Sequence, residues 1–173
     1  MNDNINRPDT LVIHHTNVST RRSQILPVNR YHKILRYPKS RLGWYVGYHI
    51  FIEKTGATIR TRDDDERGAH TLHGWNERSI GVALAGNFNS SVPTRQQLDS
   101  LRKLIKHYNL PYKFHHEADR RRTCAGFYFT RELIENKPKP IPVIEIEKRE
   151  SIQSQISAIK AILAKIAESL RKL

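Results

Sequence analysis

The histidines and the single cysteine of this sequence occur in a pattern that can bind a metal ion. His14-His15 follows a β-rich run, His115-His116 follows another short run of that kind, and Cys124 comes soon after. A hydrolytic zinc site needs three protein ligands and an open fourth position for water. Any one of these residues alone is more often structural. It is their combination, at the ends of strands that would hold them rigidly, that predicts a metal centre.

The segments that would position these residues alternate between strand and helix patterns. Short β-rich or apolar runs predict strands at 10–13, 47–53, 57–60, 79–85 and 112–114. The second and third of these flank Lys54-Thr55-Gly56, which predicts a hairpin. The fourth is almost continuously apolar, as expected of a buried central strand. Together they predict a mixed central β-sheet.

Two helices are predicted beside this sheet, which makes the fold class α/β with a mixed central β-sheet flanked by helices. Apolar residues at helical spacing after Pro27 predict a helix over 28–36. Thr94 and Gln97 have the spacing of a capping box, which predicts a second helix ending near His107. Its buried stripe would consist of Leu98, Leu101, Leu104 and Ile105.

The composition changes near residue 136, so we predict three parts: a domain over 1–136, a linker over 137–147 and an amphipathic helix over 148–173. Three prolines, Pro138, Pro140 and Pro142, make the linker stiff and extended. The helix has an unbroken heptad pattern at Ile152, Ile156, Ile159, Leu163, Ile166, Leu170 and Leu173. This pattern favours self-association, as a homo-oligomer. The alternatives are docking on its own domain or binding to a lipid surface.

The charge of the chain predicts partners that are polyanions. There are 30 Lys+Arg against 17 Asp+Glu, a formal net charge of +13. Nucleic acid, anionic lipid and the acidic polymers of a bacterial envelope all fit such a charge. No base-reading motif accompanies it, so nucleic acid is not the expected partner.

The motifs of the first domain, taken in order, resemble one known family. They are Val12-Ile13-His14-His15-Thr16, Gly47-Tyr48-His49, Ser79-Ile80-Gly81-Val82 with Gly86-Asn87-Phe88, and His115-His116-Glu117 followed by Thr123-Cys124-Ala125-Gly126. In this order they resemble the zinc-dependent N-acetylmuramoyl-L-alanine amidases, which include phage amidase lysozymes and peptidoglycan recognition proteins. The resemblance runs from about Thr10 to about Leu133.

The resemblance implies a single zinc ion bound by His14, a second histidine and Cys124. In the family the ligand histidine usually precedes an acidic residue by two positions, which favours His115 because Glu117 follows it. The family's usual spacing between this histidine and the cysteine favours His116 instead. We prefer His115, because loop insertions before the cysteine are easily accommodated.

The resemblance also implies roles for other residues. Tyr48 matches the family's catalytic tyrosine, and Arg122 stands where related enzymes have lysine or threonine, so we predict both as catalytic. Groove residues that would contact peptidoglycan are His32, Trp44, His70 and Asn76.

The activity implied by the resemblance is hydrolysis of the amide between N-acetylmuramic acid and L-alanine in peptidoglycan. One alternative is a recognition module without activity. A second alternative is a structural zinc domain that binds nucleic acid, for which His49 would be a possible fourth ligand. The first nine residues contain no apolar stretch of signal-peptide length. We therefore expect an endolysin of a phage or prophage, made in the host cytoplasm and acting at the bacterial cell wall after release.

Overall fold

The protein is described by a computed structural model that covers residues 5–20, 22–136 and Gln155. The chain divides into two compact units, Met1–Lys137 and Pro138–Leu173. Apart from Gln155, the predicted linker over 137–147 and the predicted heptad helix over 148–173 lie outside the described residues. No helix in the described ranges has both the length and the hydropathy that crossing a bilayer requires.

The first unit is an α/β fold built on one five-stranded sheet, as the sequence predicts. Its strands are β1 (Thr10–His15), β2 (Ile50–Ile52), β3 (Thr58–Arg60), β4 (Ser79–Leu84) and β5 (Tyr112–Phe114). Their order across the sheet is β3-β2-β4-β1-β5. Only the β2–β3 hairpin is antiparallel, and the β2–β4, β4–β1 and β1–β5 pairs are parallel. The sheet is therefore mixed, and β4 is its central strand.

Among the described residues, four α-helices accompany the sheet: α1 (Ile25–Ile34), α2 (Arg95–Tyr108), α3 (His115–Ala118) and α4 (Arg131–Glu135). The capping box predicted for α2 is present, since the Thr94 side chain accepts a hydrogen bond from the Gln97 amide at 3.1 Å. The reciprocal bond runs from the Thr94 amide to Gln97 Oε1 at 3.1 Å. Local sequence therefore determines where α2 begins.

Helix α1 begins at Ile25 rather than after Pro27, which corrects the predicted start. The reason is a contact distant in sequence. The Glu53 carboxylate accepts hydrogen bonds from the backbone amides of Gln24 and Ile25, both at 2.9 Å. A carboxylate at a helix N-terminus satisfies free N–H groups and interacts favourably with the helix dipole.

The two faces of the sheet bury different clusters. On one face, Leu11, Ile13, Val82 and Leu84 pack with Leu101 of α2 in the main core. On the other face, a smaller cluster contains Ile25, Val46, Phe51, Ala83 and Ala85. Ile13 points to the face of the main core. Because successive strand residues point to opposite faces, His14 points to the second face. That face carries the chemistry described below.

Candidate metal centre and active site

Strand register brings the first two predicted ligands together. Strands β1 and β5 are parallel neighbours in which Ile13 pairs with Phe114. His14 and His115 each come one residue later, at the same edge of the sheet. Their ring centroids lie 4.4 Å apart. The pairing of neighbouring parallel strands thus brings together two histidines that are about a hundred residues apart in sequence.

Cys124 reaches the same point from the loop after α3. Its Sγ lies 3.7 Å from His14 Nδ1 and accepts a hydrogen bond from the His15 backbone amide at 3.2 Å. Donor atoms of His14, His115 and Cys124 all lie within 4.8 Å of one another. These three residues form the one cluster of potential metal ligands among the described histidine, cysteine and acidic residues.

The neighbouring histidine of each pair has a different environment. The backbone amide of His116 donates to the Cys124 carbonyl at 2.6 Å, and its Nδ1 lies 3.0 Å from the same oxygen. His15 Nδ1 accepts from the Phe88 amide at 3.0 Å. His15 and His116 therefore hold the backbone around the site, whereas His14 and His115 present ring nitrogens to it.

This donor set fits a zinc ion. With metal–nitrogen and metal–sulfur bonds of about 2.0 and 2.3 Å, tetrahedral ligands lie about 3.6 Å apart, close to the 3.7 Å between Cys124 Sγ and His14 Nδ1. Burial lowers the pKa of His14 well below its ordinary value and that of His115 to about 4, so both rings are neutral at pH 7. Burial raises the pKa of the Cys124 thiol to about 12 in the absence of a cation. Neutral imidazoles and a metal-stabilised thiolate are the forms that bind zinc.

His70 contacts His14 on the side away from the cysteine. His14 Nε2 and His70 Nδ1 lie 3.0 Å apart, and both residues are buried. When the lone pair of His14 Nδ1 faces a cation, the proton of the His14 ring is on Nε2. The Nε2–H group then donates a hydrogen bond to His70 Nδ1. A ligand histidine held in this way has one tautomer and one ring orientation.

The His70 ring occupies a slot between two glycines. A Cβ added at Gly68 or at Gly81 would come within 2.5 Å of His70 Cδ2. The backbone amide of His70 donates to Asn76 Oδ1 at 2.9 Å. Sequence reasoning assigned His70 and Asn76 to a substrate groove and missed this arrangement, although glycines at 68 and 81 are a signal that a side chain passes close to the backbone.

Tyr48 lies beside His14 of the metal-ligand cluster. Its ring centroid is 5.1 Å from that of His14 and 6.4 Å from that of His70. Burial, with the Cys124 sulfur as a lesser cause, raises the pKa of the Tyr48 phenol. The hydroxyl therefore keeps its proton at neutral pH and can donate a hydrogen bond.

Arg122 is exposed and belongs to a cluster around a buried carboxylate. Its Nε lies 3.7 Å from Asp119, whose side chain is only 3% exposed. Arg121 Nε makes a closer contact with the same carboxylate at 2.9 Å. The positive charge of Arg122 also contributes to the low pKa of His115. Asp119 was not singled out from the sequence, although an acidic residue directly before three arginines is a signal of ion pairing.

The remaining predicted groove residues have structural contacts. His32 is buried, accepts from the Gly47 amide through Nδ1 at 3.0 Å, and lies 5.6 Å from the Tyr48 ring. Trp44 is half-buried against the smaller cluster. Asn76 also accepts from the Thr71 amide at 3.1 Å. His32 and His70 thus lie near Tyr48, whereas Trp44 and Asn76 support the surrounding loops.

His49, considered as a fourth ligand, is engaged elsewhere. Its Nδ1 accepts from the Gly81 amide at 3.0 Å and its Nε2 lies 2.8 Å from the Glu66 carbonyl oxygen. The described residues therefore offer three potential ligands and no fourth, which fits a catalytic zinc site better than a structural one.

Comparison with known proteins identifies the family and the fold of this chain. The sequence profile of the N-acetylmuramoyl-L-alanine amidase family matches residues 4–127. The amidase LysC of Clostridium intestinale is 33% identical, with a TM-score of 0.62, over 76% of this chain and 85% of that chain. The bumblebee recognition protein PGRP-SA shares the fold, with 22% identity and a TM-score of 0.64, over 80% of this chain and 88% of that chain.

Curated relatives include peptidoglycan recognition proteins of animals. Peptidoglycan-recognition protein SC2 of Drosophila melanogaster is 30% identical over 95 residues, 54% of this chain and 51% of that protein. This chain thus spans about half the length of the curated relatives it matches. The family profile nevertheless extends over most of the chain and includes both His14 and Cys124. The chain belongs to the N-acetylmuramoyl-L-alanine amidase family.

Proposed function

We propose that this protein is a zinc-dependent N-acetylmuramoyl-L-alanine amidase. It would hydrolyse the amide between N-acetylmuramic acid and the first L-alanine of the stem peptide. The observation that supports this most strongly is the grouping of His14, His115 and Cys124 within 4.8 Å, with the Tyr48 ring 5.1 Å from His14. Family membership by itself would fit a binding protein equally well.

Each residue of the cluster has a distinct task in this proposal. His14, His115 and Cys124 would hold one zinc ion, which when bound supplies a Lewis acid that activates water and polarises the scissile carbonyl. The His15 amide stabilises negative charge on the Cys124 sulfur through its 3.2 Å hydrogen bond.

Tyr48 would act on the substrate directly. Its phenol stays protonated because burial raises its pKa. It would donate a hydrogen bond to the carbonyl oxygen of the scissile amide, and this bond strengthens as negative charge develops there. Arg122 is exposed, and its charge contributes to the low pKa of His115, so it would add positive charge near the metal-ligand cluster. It does not serve as a proton donor, because guanidinium stays charged.

The second candidate function is peptidoglycan recognition without hydrolysis. The curated relatives that are recognition proteins favour it. A Drosophila recognition protein of this fold, at 20% identity, has been solved in complex with tracheal cytotoxin. The complete ligand set and Tyr48 favour the enzyme instead.

The test uses purified peptidoglycan and measures newly exposed L-alanine amino groups. We expect release by the zinc-loaded protein, loss of release with a chelator and recovery with added zinc. Cys124→Ala should abolish both zinc binding and release. Tyr48→Phe should bind zinc normally and lose activity by about a hundredfold or more, as for loss of one oxyanion donor. Tyr128→Phe is the matched control, because Tyr128 is 54% exposed and lies outside the cluster.

Binding to peptidoglycan without amine release, by protein that carries zinc, would reject the enzyme and support the recognition module.

We also propose an endolysin-like role, with synthesis in the host cytoplasm and action at the cell wall. The likeness to the endolysin amidase LysCS of Clostridium intestinale, at 33% identity and a TM-score of 0.62, supports it. Self-association through residues 148–173 stays a prediction.

A further inference from the structure

Helix α1 carries apolar residues on two faces, and only one of these faces packs against the rest of the domain. The inner face holds Ile25 and His32, which are buried, and Val28, which packs against the smaller cluster. The outer face exposes Leu26 by 66% and Ile34 by 71%. With 100° between successive helix residues, the outer positions lie on the side opposite the inner ones.

The exposed apolar residues of this outer face form a continuous surface. Leu26, Pro27, Arg30, Tyr31 and Ile34 line one shallow depression of about 280 Å³. Tyr31 is itself 60% exposed. An apolar patch of this kind has no role in stabilising the domain, and such patches on soluble surfaces commonly mark interaction sites.

Positive charge surrounds this apolar surface. Between Asp9 and Glu53 the sequence contains seven basic residues and no acidic one. The exposed cations in and beside the helix are Arg22, Arg30, Lys33, Arg36 and Lys39. None of these five is ion-paired with a carboxylate in the described part of the chain. The surface therefore combines exposed apolar groups with positive charge that no carboxylate of the described residues neutralises.

We propose that the outer face of α1, comprising Leu26, Arg30, Tyr31 and Ile34 with the flanking cations, is a contact surface for anionic phospholipid membranes. Arg30, Lys33, Leu26 and Ile34 fall within about 100° of helix circumference, so one approach to a bilayer can engage all four. Leu26 and Ile34 would enter the boundary between headgroups and acyl chains. The cations would lie among anionic headgroups, as in interfacial amphipathic helices.

A hydrated acidic polymer of the cell wall would satisfy the cations equally well. It would gain nothing from Leu26 and Ile34, because a hydrated chain offers no apolar layer in which to bury them. The apolar groups therefore identify lipid as the partner. This surface is independent of the metal ligands, and its role does not require the amidase activity.

The test is co-sedimentation of the full chain with phosphatidylcholine vesicles, with and without phosphatidylglycerol. Wild-type protein should bind the anionic vesicles more tightly than the neutral ones. The double variant Leu26→Ser/Ile34→Ser should lower the partition coefficient by about tenfold or more. The double variant Arg30→Gln/Lys33→Gln should lower it by about 25-fold, which is roughly fivefold for each cation.

Matched controls replace exposed residues of the same kinds elsewhere. Val92→Ser removes an apolar side chain that is 57% exposed, and Arg95→Gln removes a cation whose side chain is 93% exposed. Both should bind within about twofold of wild type. Thermal unfolding of every variant should match that of wild type, because the changed side chains are exposed.

Three outcomes would overturn the proposal. Anionic vesicles that fail to bind the wild-type protein would exclude a membrane surface. Normal vesicle binding by both double variants would place the lipid contact elsewhere in the chain. Loss of binding in the charge variant alone, with Leu26→Ser/Ile34→Ser behaving as wild type, would indicate a surface for hydrated polyanions.

Discussion

Replacing His70 tests whether this residue fixes the tautomer of His14. Asparagine and leucine are nearly isosteric, and asparagine places an acceptor oxygen near the position of the imidazole Nδ1. His70→Asn therefore retains an acceptor for the His14 Nε2 proton, whereas His70→Leu removes it. The pair separates hydrogen bonding from packing, because both substitutions shorten the side chain by a similar amount.

The expected magnitude follows from the burial of His14. The ring is 1% exposed, and its Nε2 lies 3.0 Å from His70 Nδ1. Without that acceptor the buried N–H has no partner, which costs about 1–3 kcal/mol. The cost arises when Nδ1 is used for the metal, so we expect His70→Leu to weaken zinc binding by about 10–100-fold. His70→Asn should weaken it by less than about fivefold.

Zinc affinity would be measured by competition with a chromogenic chelator, which requires no enzymatic activity. The absorption spectrum of the cobalt-substituted protein reports ligand geometry independently. Equal weakening in both variants would mean that His70 contributes packing alone, and no weakening in either would remove it from the site. Failure of wild-type protein to bind zinc would instead reject the proposed function.

Further predictions concern stability and pH. Gly81→Ala should destabilise the protein by about 1–3 kcal/mol and weaken zinc binding, because the new Cβ would lie 2.5 Å from the His70 ring. Unchanged stability and unchanged zinc affinity would contradict the close packing of His70 against Gly81. Thr94→Ala should cost about 1 kcal/mol in urea unfolding through loss of the α2 cap, and an unchanged midpoint would contradict that role. Burial lowers the pKa of His32 and His49 to about 4. The unfolded chain takes up these protons near pH 6.5 and the folded protein does not until about pH 4. The unfolding free energy of chelator-treated protein should therefore be constant above about pH 7 and fall as the pH falls from 6.5 toward 4. The slope of the unfolding free energy against pH should reach about 1.4 kcal/mol per pH unit for each histidine. His49→Gln should lower that slope by the contribution of one histidine. A flat profile between pH 7 and 5 would show that these rings are not held neutral.

Several elements of the fold follow from short-range sequence alone. Strand β4 is almost continuously apolar, and Thr94 with Gln97 determines the start of α2. Such signals involve residues within a few positions of each other, so they do not depend on the rest of the fold. Helix α1 differs, because its N-terminus is bound by Glu53, which lies 28 positions away in sequence.

The sequence by itself predicts the chemical class of the site. Two histidine pairs after β-rich runs and a single cysteine, in the order of the family's motifs, predict a metal centre with His14, one of His115 and His116, and Cys124. The choice within each pair depends on which face of the sheet a ring occupies, and that depends on register between strands distant in sequence.

The tertiary structure decided the arrangement around the ligands. It directs His116 to the Cys124 carbonyl and His115 to the cluster, because Ile13 pairs with Phe114 in the parallel register. It also brings His70 to His14 across 56 positions, in a slot between Gly68 and Gly81. No local pattern encodes these contacts, since each requires several separate segments to pack before the side chains meet.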